Sequence, residues 1–268
     1  MLKYALGPLL LFVMSFPLQA QEVGFAAQAM GLTNDGAGAI LERYAAAWRG
    51  REETSLDHEV TLGFRIAGSE GGEYHIVLGP DGPGRLGSGI PEGNVVFETD
   101  IEFLRRLDRG EINALTAMGQ ARGSDPIPLM PRFPADFRWT PEARSFYFPL
   151  FFSFWNREWP HIVRFGEGTT REVHGANATI LYYDAGLRSA WYQLKPGMHI
   201  NADPSDQSNP FTSLIIATRG AVVARLGGVE LTLEEGEAVV IPAGMRHEFW
   251  VNEGGYAEAV VVMFGEGS

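Results

Sequence analysis

The chain has no cysteine, which excludes thiolate metal sites and cysteine nucleophiles, and no Gly-x-Ser-x-Gly elbow marks a serine nucleophile. Chemistry therefore falls to six histidines: His58, His75, His161, His174, His199 and His247. Only His247 stands in a context that aims it. Gly236 leads through Glu237 into the apolar run Ala238-Val239-Val240-Ile241, Pro242-Ala243-Gly244 breaks that run, and after Met245-Arg246 the histidine opens the next strand. Gly236 and Gly244 supply turn dihedrals and Pro242 ends the ladder, so the following strand presents His247. A tight zinc, iron or manganese site wants three or four strong ligands, usually His with a carboxylate. Three roles stay open for His247: metal ligand, hydrogen-bonding group in a metal-free polar pocket, or satisfied core histidine. The metal-free pocket is the preferred expectation.

The elements that must position this residue are short strands. From about residue 161 onward, apolar and polar positions alternate, with turn signals every eight to twelve residues, which argues for a barrel or sandwich. The strands expected are 179–183, 189–194, 213–217, 221–226, 229–233, 238–241, 247–251 and 256–264. Gly227-Gly228 stands where a two-residue hairpin turn needs positive φ.

The stretch from Gly236 to Asn252 resembles the second motif of the cupin superfamily, whose histidine points into a β-barrel and usually binds a metal. Lys195-Pro196-Gly197 is similar to the opening of the first cupin motif, and Thr218-Arg219-Gly220 to its close. Counting back from Gly220, the position of the motif's glutamate holds Ser213, and its two histidine positions fall near Gln207 and Asn209. His199 lies too close to Gly197 to match either. The resemblance thus implies a ligand-binding set of His247, Gln207, Asn209 and Ser213. Neutral amides and a hydroxyl are weak partners for a transition metal, so no metal and no cofactor is expected.

Upstream, the order of elements differs. Thr33-Asn34-Asp35 offers N-cap chemistry for a helix carrying Ile40, Leu41, Tyr44, Ala47 and Trp48, closed by Gly50. Strands follow at 60–66, 74–78 and 94–98. Thr99-Asp100 caps a second helix, and residues 111–121 read as a third. Gly72 to Leu78, Val95 to Asp100 and Leu104 to Ala121 resemble the sterol carrier protein type 2 (SCP2) domain. That likeness implies helices over one face of a curved sheet, enclosing an apolar tunnel for lipids. The Gly-rich run from Gly79 to Gly89 lacks the Lys-Ser/Thr ending of a phosphate loop and reads as hairpin turns.

Between the two modules, Pro126, Pro128, Pro131 and Pro134 suggest a connector over residues 126–160. Within it Thr140-Pro141-Glu142 starts a helix rich in aromatics (Phe148, Phe151, Phe152 and Trp155), although Pro149 should kink it. This aromatic stripe has three readings: packing between modules, a lid over the apolar tunnel, or an interfacial membrane anchor.

Residues 1–20 have a positive start, an apolar middle and a small residue at Ala20, the pattern of a cleavable export signal. Its removal would take away Lys3 and make the formal charge of −12 one unit more negative. An acidic chain without a basic patch should repel nucleic acid and anionic lipid surfaces. The expectation is a periplasmic or secreted protein with an SCP2-like α+β domain (33–125) and an all-β cupin jelly-roll barrel (161–268). It would bind a hydrophobic or amphipathic small molecule or lipid, without stable membrane insertion, and could pair as a homodimer through the barrel. The competing class is a metal-dependent cupin oxygenase, isomerase or lyase.

Overall fold

The computed structural model describes residues 35–50, 54, 56–120 and 125–268. The expected export signal and the Thr33-Asn34 cap lie outside these residues. Helix α1 (Ala37–Ala47) buries Ile40, Leu41, Tyr44 and Ala45, the face its spacing marks as apolar. Gly36 stands at its N-cap without a side-chain bond, and Arg43 reaches back to Asp35 at 2.8 Å and across to Asp108 at 2.6 Å.

Strands β1 (Val60–Ala67), β2 (Gly72–Leu78), β3 (Arg85–Ser88), β4 (Val95–Asp100) and β5 (Met130–Arg132) form one sheet in the order β3-β2-β1-β4-β5. β1 and β4 run parallel and the other pairs antiparallel. Asp100 ends β4 and caps helix α2 (Ile101–Asp108), its side chain accepting from the Phe103 N–H at 2.8 Å. The third helix is shorter than its periodicity suggests: α3 spans Ala114–Met118, because the Asn113 side chain accepts from the Thr116 N–H and caps it there. The first part of the Gly-rich run, Gly79 to Gly84, is the loop between β2 and β3, and Arg85–Ser88 within the run is β3 itself. The loop backbone is held by α1, since the Trp48 indole donates to the Gly79 carbonyl and Gly84 N–H donates to Ala45.

The proline-rich segment differs from the expected connector. Pro131 sits in edge strand β5, where a missing N–H costs no ladder bond. Helix α4 (Pro141–Trp155) continues through Pro149 and is capped by Thr140, whose hydroxyl accepts from Ala143 N–H at 3.2 Å. Its Leu150, Phe151, Phe154 and Trp155 belong to the same core as α1 and the sheet. That first core therefore runs to residue 155 rather than stopping at 125, because the sheet needs the α4 aromatics to cover Phe64 and Phe97.

The second half is a two-sheet barrel. One sheet has the order β13-β10-β15-β8-β7-β6, with β6 (Arg171–Val173), β7 (Ala176–Asp184), β8 (Leu187–Leu194), β10 (Thr212–Gly220), β13 (Ala238–Ile241) and β15 (Ala257–Phe264). The other has the order β12-β11-β14-β9, with β9 (His199–Ile200), β11 (Val222–Leu226), β12 (Val229–Leu233) and β14 (His247–Trp250). Gly227 and Gly228, at φ 56° and 90°, make the β11–β12 hairpin turn. Gly220 has φ 67°, and a Cβ there would stand 2.1 Å from the Tyr256 carbonyl, which explains the glycine that closes β10.

The described residues form one compact unit with two cores. β7 carries a bulge between Ile180 and Tyr182, and α3 meets it there. The buried Thr116 hydroxyl accepts from the Ile180 N–H at 2.8 Å, and Asn113 donates to the Ile180 carbonyl at 3.0 Å. Both edge groups of Ile180 are thus satisfied across the junction. Alongside, Phe148 and Phe152 of α4 meet Tyr183 and Tyr182 edge to face, with ring centroids 4.8 and 5.3 Å apart. The aromatic stripe packs between the two halves. No helix among the described residues is long and apolar enough to cross a membrane.

Candidate functional site

Several inward positions of the larger barrel sheet are small. Ala257, Ala259 and Val261 on β15 alternate inward, beside Ala190 on β8 and Ser213 and Ile215 on β10. Side chains of that size leave the interior open, and a cavity of 680 Å³ lies there. It is within the usual range for small-molecule sites, about 300–1,000 Å³. The cavity does not end at the barrel. Met118 of α3, Ile127, Phe133 and Trp139 of the segment before α4, and Phe148 and Phe151 of α4 wall its far side. One space is enclosed by both halves of the chain.

His247 opens β14 and its side chain reaches this cavity, buried to 5% exposure. Its Nδ1–H donates to the Met245 carbonyl at 2.9 Å, which leaves Nε2 as an acceptor facing the Asn209 amide at 3.3 Å. Burial pushes the His247 pKa below its ordinary value, an effect the Met245 bond only partly offsets, so the ring stands neutral at neutral pH. The Asn201 side chain donates to the His247 carbonyl at 3.1 Å and accepts from His174. His174 and Asn201 also line the cavity, each with φ near 60°.

Of the residues expected at the site, His247, Asn209 and Ser213 line the cavity. Gln207 has a different position. Its carbonyl accepts from the His247 N–H at 2.7 Å, its amide donates to the Asn201 carbonyl at 3.1 Å, and its Oε1 accepts from Arg246 at 2.6 Å. Its side-chain amide and its carbonyl are thus spent on fixing the loop beneath the histidine. His199 lies on the outer face of the small sheet, 2.9 Å from Glu248 and beside Trp250, and so does not reach the cavity.

The donor set can be tested against the metal that such a histidine commonly holds. Among the described residues no three His, Asp or Glu side chains come together in ligand geometry. The free nitrogen of His247 meets an amide and not a second imidazole or a carboxylate. These residues do not fit a tight transition-metal site.

Among the wall residues not foreseen from the sequence are Arg188, Tyr183 and Tyr192. Arg188 on β8 lies in one cross-strand row with Ser213, Met263 and Tyr183, all on the cavity wall. Its parity with Ala190 and Tyr192 was the available signal, since a charge at an inward position of a strand is unusual. Burial holds the Tyr192 phenol up at about 12, so it is a neutral donor, and it raises Tyr183 as well.

Residues 190–264 match the family model described as a cupin domain, and this part of the chain is a C-terminal cupin domain. Similar solved structures include a cupin 2 conserved barrel domain protein from Salinispora arenicola, 17% identical, with 39% of this chain and 88% of that one covered and a TM-score of 0.35. Another is TT1209 from Thermus thermophilus, 23% identical, with 34% and 84% covered and a TM-score of 0.31. A third is an RmlC-like cupin from Shewanella frigidimarina, 14% identical, with 38% and 87% covered and a TM-score of 0.31. No curated protein matches the sequence.

Proposed function

We propose that this chain is an exported, periplasmic or secreted, non-catalytic binding protein for one amphipathic small molecule. The observation that carries the reading is the 680 Å³ cavity walled by both halves of the chain. The barrel contributes its polar groups, His247, Asn209, Asn201 and Ser213, while α3, α4 and the segment between them contribute an apolar and aromatic wall. The α+β half, read as SCP2-like, takes the apolar part of the ligand at this junction. Its own sheet face is filled, because Phe64 and Phe97 are covered by Phe151, Phe154 and Trp155. A metal-dependent enzyme is the less favoured reading, since the groups around His247 are poor ligands.

The test uses the full mature chain and N-phenyl-1-naphthylamine, an uncharged apolar fluorophore. Saturable binding tighter than roughly 100 µM, about −5.5 kcal/mol, is expected. Absence of saturable binding overturns the proposal. For the polar end, His247→Ala should weaken binding of an oxygen-bearing ligand by about 1–3 kcal/mol, the cost of leaving a buried partner unpaired. EDTA should change neither stability nor binding. Near-stoichiometric iron, zinc or manganese by elemental analysis, lost in His247→Ala, would favour the enzyme instead.

A further inference from the structure

Arg188 is a cation on the cavity wall that an uncharged ligand leaves unexplained. Its guanidinium lies over the Tyr183 ring at 4.4 Å and near the Phe211 ring at 5.6 Å, so two aromatic faces fix its plane. Its Nε is buried without a hydrogen-bond partner. No carboxylate lies within ion-pair distance of it among the described residues, where most other arginines have one. The titratable groups whose fields reach it are the Tyr183 phenol, held neutral by burial, and Arg144 of α4, a second cation. In a chain of net charge −12, a partly buried cation facing a cavity without a counter-ion is costly unless something else supplies the anion.

The surroundings also define the rest of the ligand. Phe148 packs edge to face against Tyr183, with ring centroids 4.8 Å apart, and Trp139 lies 5.5 Å from Phe148. An anion on Arg188 would therefore have an apolar body running along this aromatic wall. A single planar fork matches a single planar carboxylate better than a phosphate dianion, which would call for more donors than this wall provides.

We infer that Arg188 is the anchor for a carboxylate, and that the cavity takes an amphipathic monocarboxylate with its acid group on that guanidinium. This rests on the cavity-binding reading above and adds the charge class of the ligand and the residue that selects it.

The test compares decanoate with decan-1-ol, which share a chain and differ in the charged group, by displacement of N-phenyl-1-naphthylamine from the full mature protein. The native chain should prefer decanoate by about 10-fold or more, the scale of a charge-assisted bidentate bond. Arg188→Met should remove that preference while leaving decan-1-ol within about 3-fold, and Arg188→Lys should keep part of it, since charge survives and the fork does not. If Arg188→Met does not fold, the native preference and its retention or loss in Arg188→Lys decide the matter. Equal affinity for acid and alcohol in the native chain overturns the anion anchor and leaves the cavity reading standing. A decanoate preference unchanged in Arg188→Met or Arg188→Lys also overturns it. Failure of the fluorophore and both probes to bind removes the cavity reading, and this inference with it.

Discussion

The two halves of the chain solve the same problem in opposite ways. In the first, the inward positions of the sheet are large: Leu62, Phe64 and Ile66 on β1, Val95 and Phe97 on β4. They meet further large groups from α4, and Phe64 and Phe97 end with no exposure at all. In the barrel several of the corresponding positions, Ser213, Ala257 and Ala259 among them, are small, and a cavity remains beside the barrel's own core of Ile215, Leu226, Ile241 and Phe249. Both are ordinary sheet faces with alternating burial. Side-chain volume at the inward positions decides which becomes a core and which a binding cavity, because protein interiors fill to crystal-like density only where atoms are supplied. The filled half serves the hollow one by closing its open side.

The largest expected effect tests the filled half. Phe154→Ala, which strips a side chain touching Tyr44, Phe64 and Trp155, should cost about 3–5 kcal/mol in urea unfolding. A loss below about 1.5 kcal/mol would mean that this core relaxes into the void and is not tightly filled.

Next in size is the seam. Thr116→Val keeps the shape but leaves the Ile180 N–H without its acceptor, and should cost about 1–3 kcal/mol. If stability is unchanged, the halves are held by the aromatic contacts of α4 and not by the bulge bonds.

The contrast itself is sharpest at Ala259→Leu. In a packed interior the added carbons would force strain, but here they enter open space, so the stability change should stay under about 1 kcal/mol. Binding of N-phenyl-1-naphthylamine should fall to background. Full binding in this variant would show that the ligand lies elsewhere.

The smallest effect concerns pH. His247 has its folded pKa depressed by burial, so the unfolded chain binds its proton more readily than the native one. Its contribution is complete above the unfolded value of about 6.5 and is lost as pH falls from there through the depressed folded value. Urea titrations between pH 7.5 and 5.5 should show that loss, at most about 1.4 kcal/mol per pH unit, and His247→Gln should flatten it. His161, also lowered by burial, supplies part of any remaining slope. An identical slope in His247→Gln would mean that the ring is not buried neutral.

Much of the barrel was readable in advance because its signals are local. The Gly227-Gly228 turn and the Pro242-Ala243-Gly244 break before His247 each act within a few residues, and each lies where its chemistry directs, whereas the alternation expected of β12 holds only toward its end, since Val229 is exposed. The cap of α4 at Thr140 is of the same kind. Site residues that depended on counting through a loop were less secure. Asn209 reaches His247, whereas Gln207, two residues earlier, turns its amide into the loop, since neither composition nor spacing fixes the path of a polar segment.

What the sequence determined alone is therefore the inventory: no thiolate chemistry, one aimed histidine with weak partners, a barrel of short strands, and an aromatic helix after a proline-rich stretch. Only the tertiary structure decided that Pro131 joins the first sheet as its edge, that α4 completes the first core, and that Arg188 and His247 share one cavity with Trp139 and Phe148. The physical reason is distance along the chain. Helix caps and hairpin turns are set by neighbours a few residues away, but a cavity is the space left when segments more than a hundred residues apart pack together. Its shape depends on which of their faces meet.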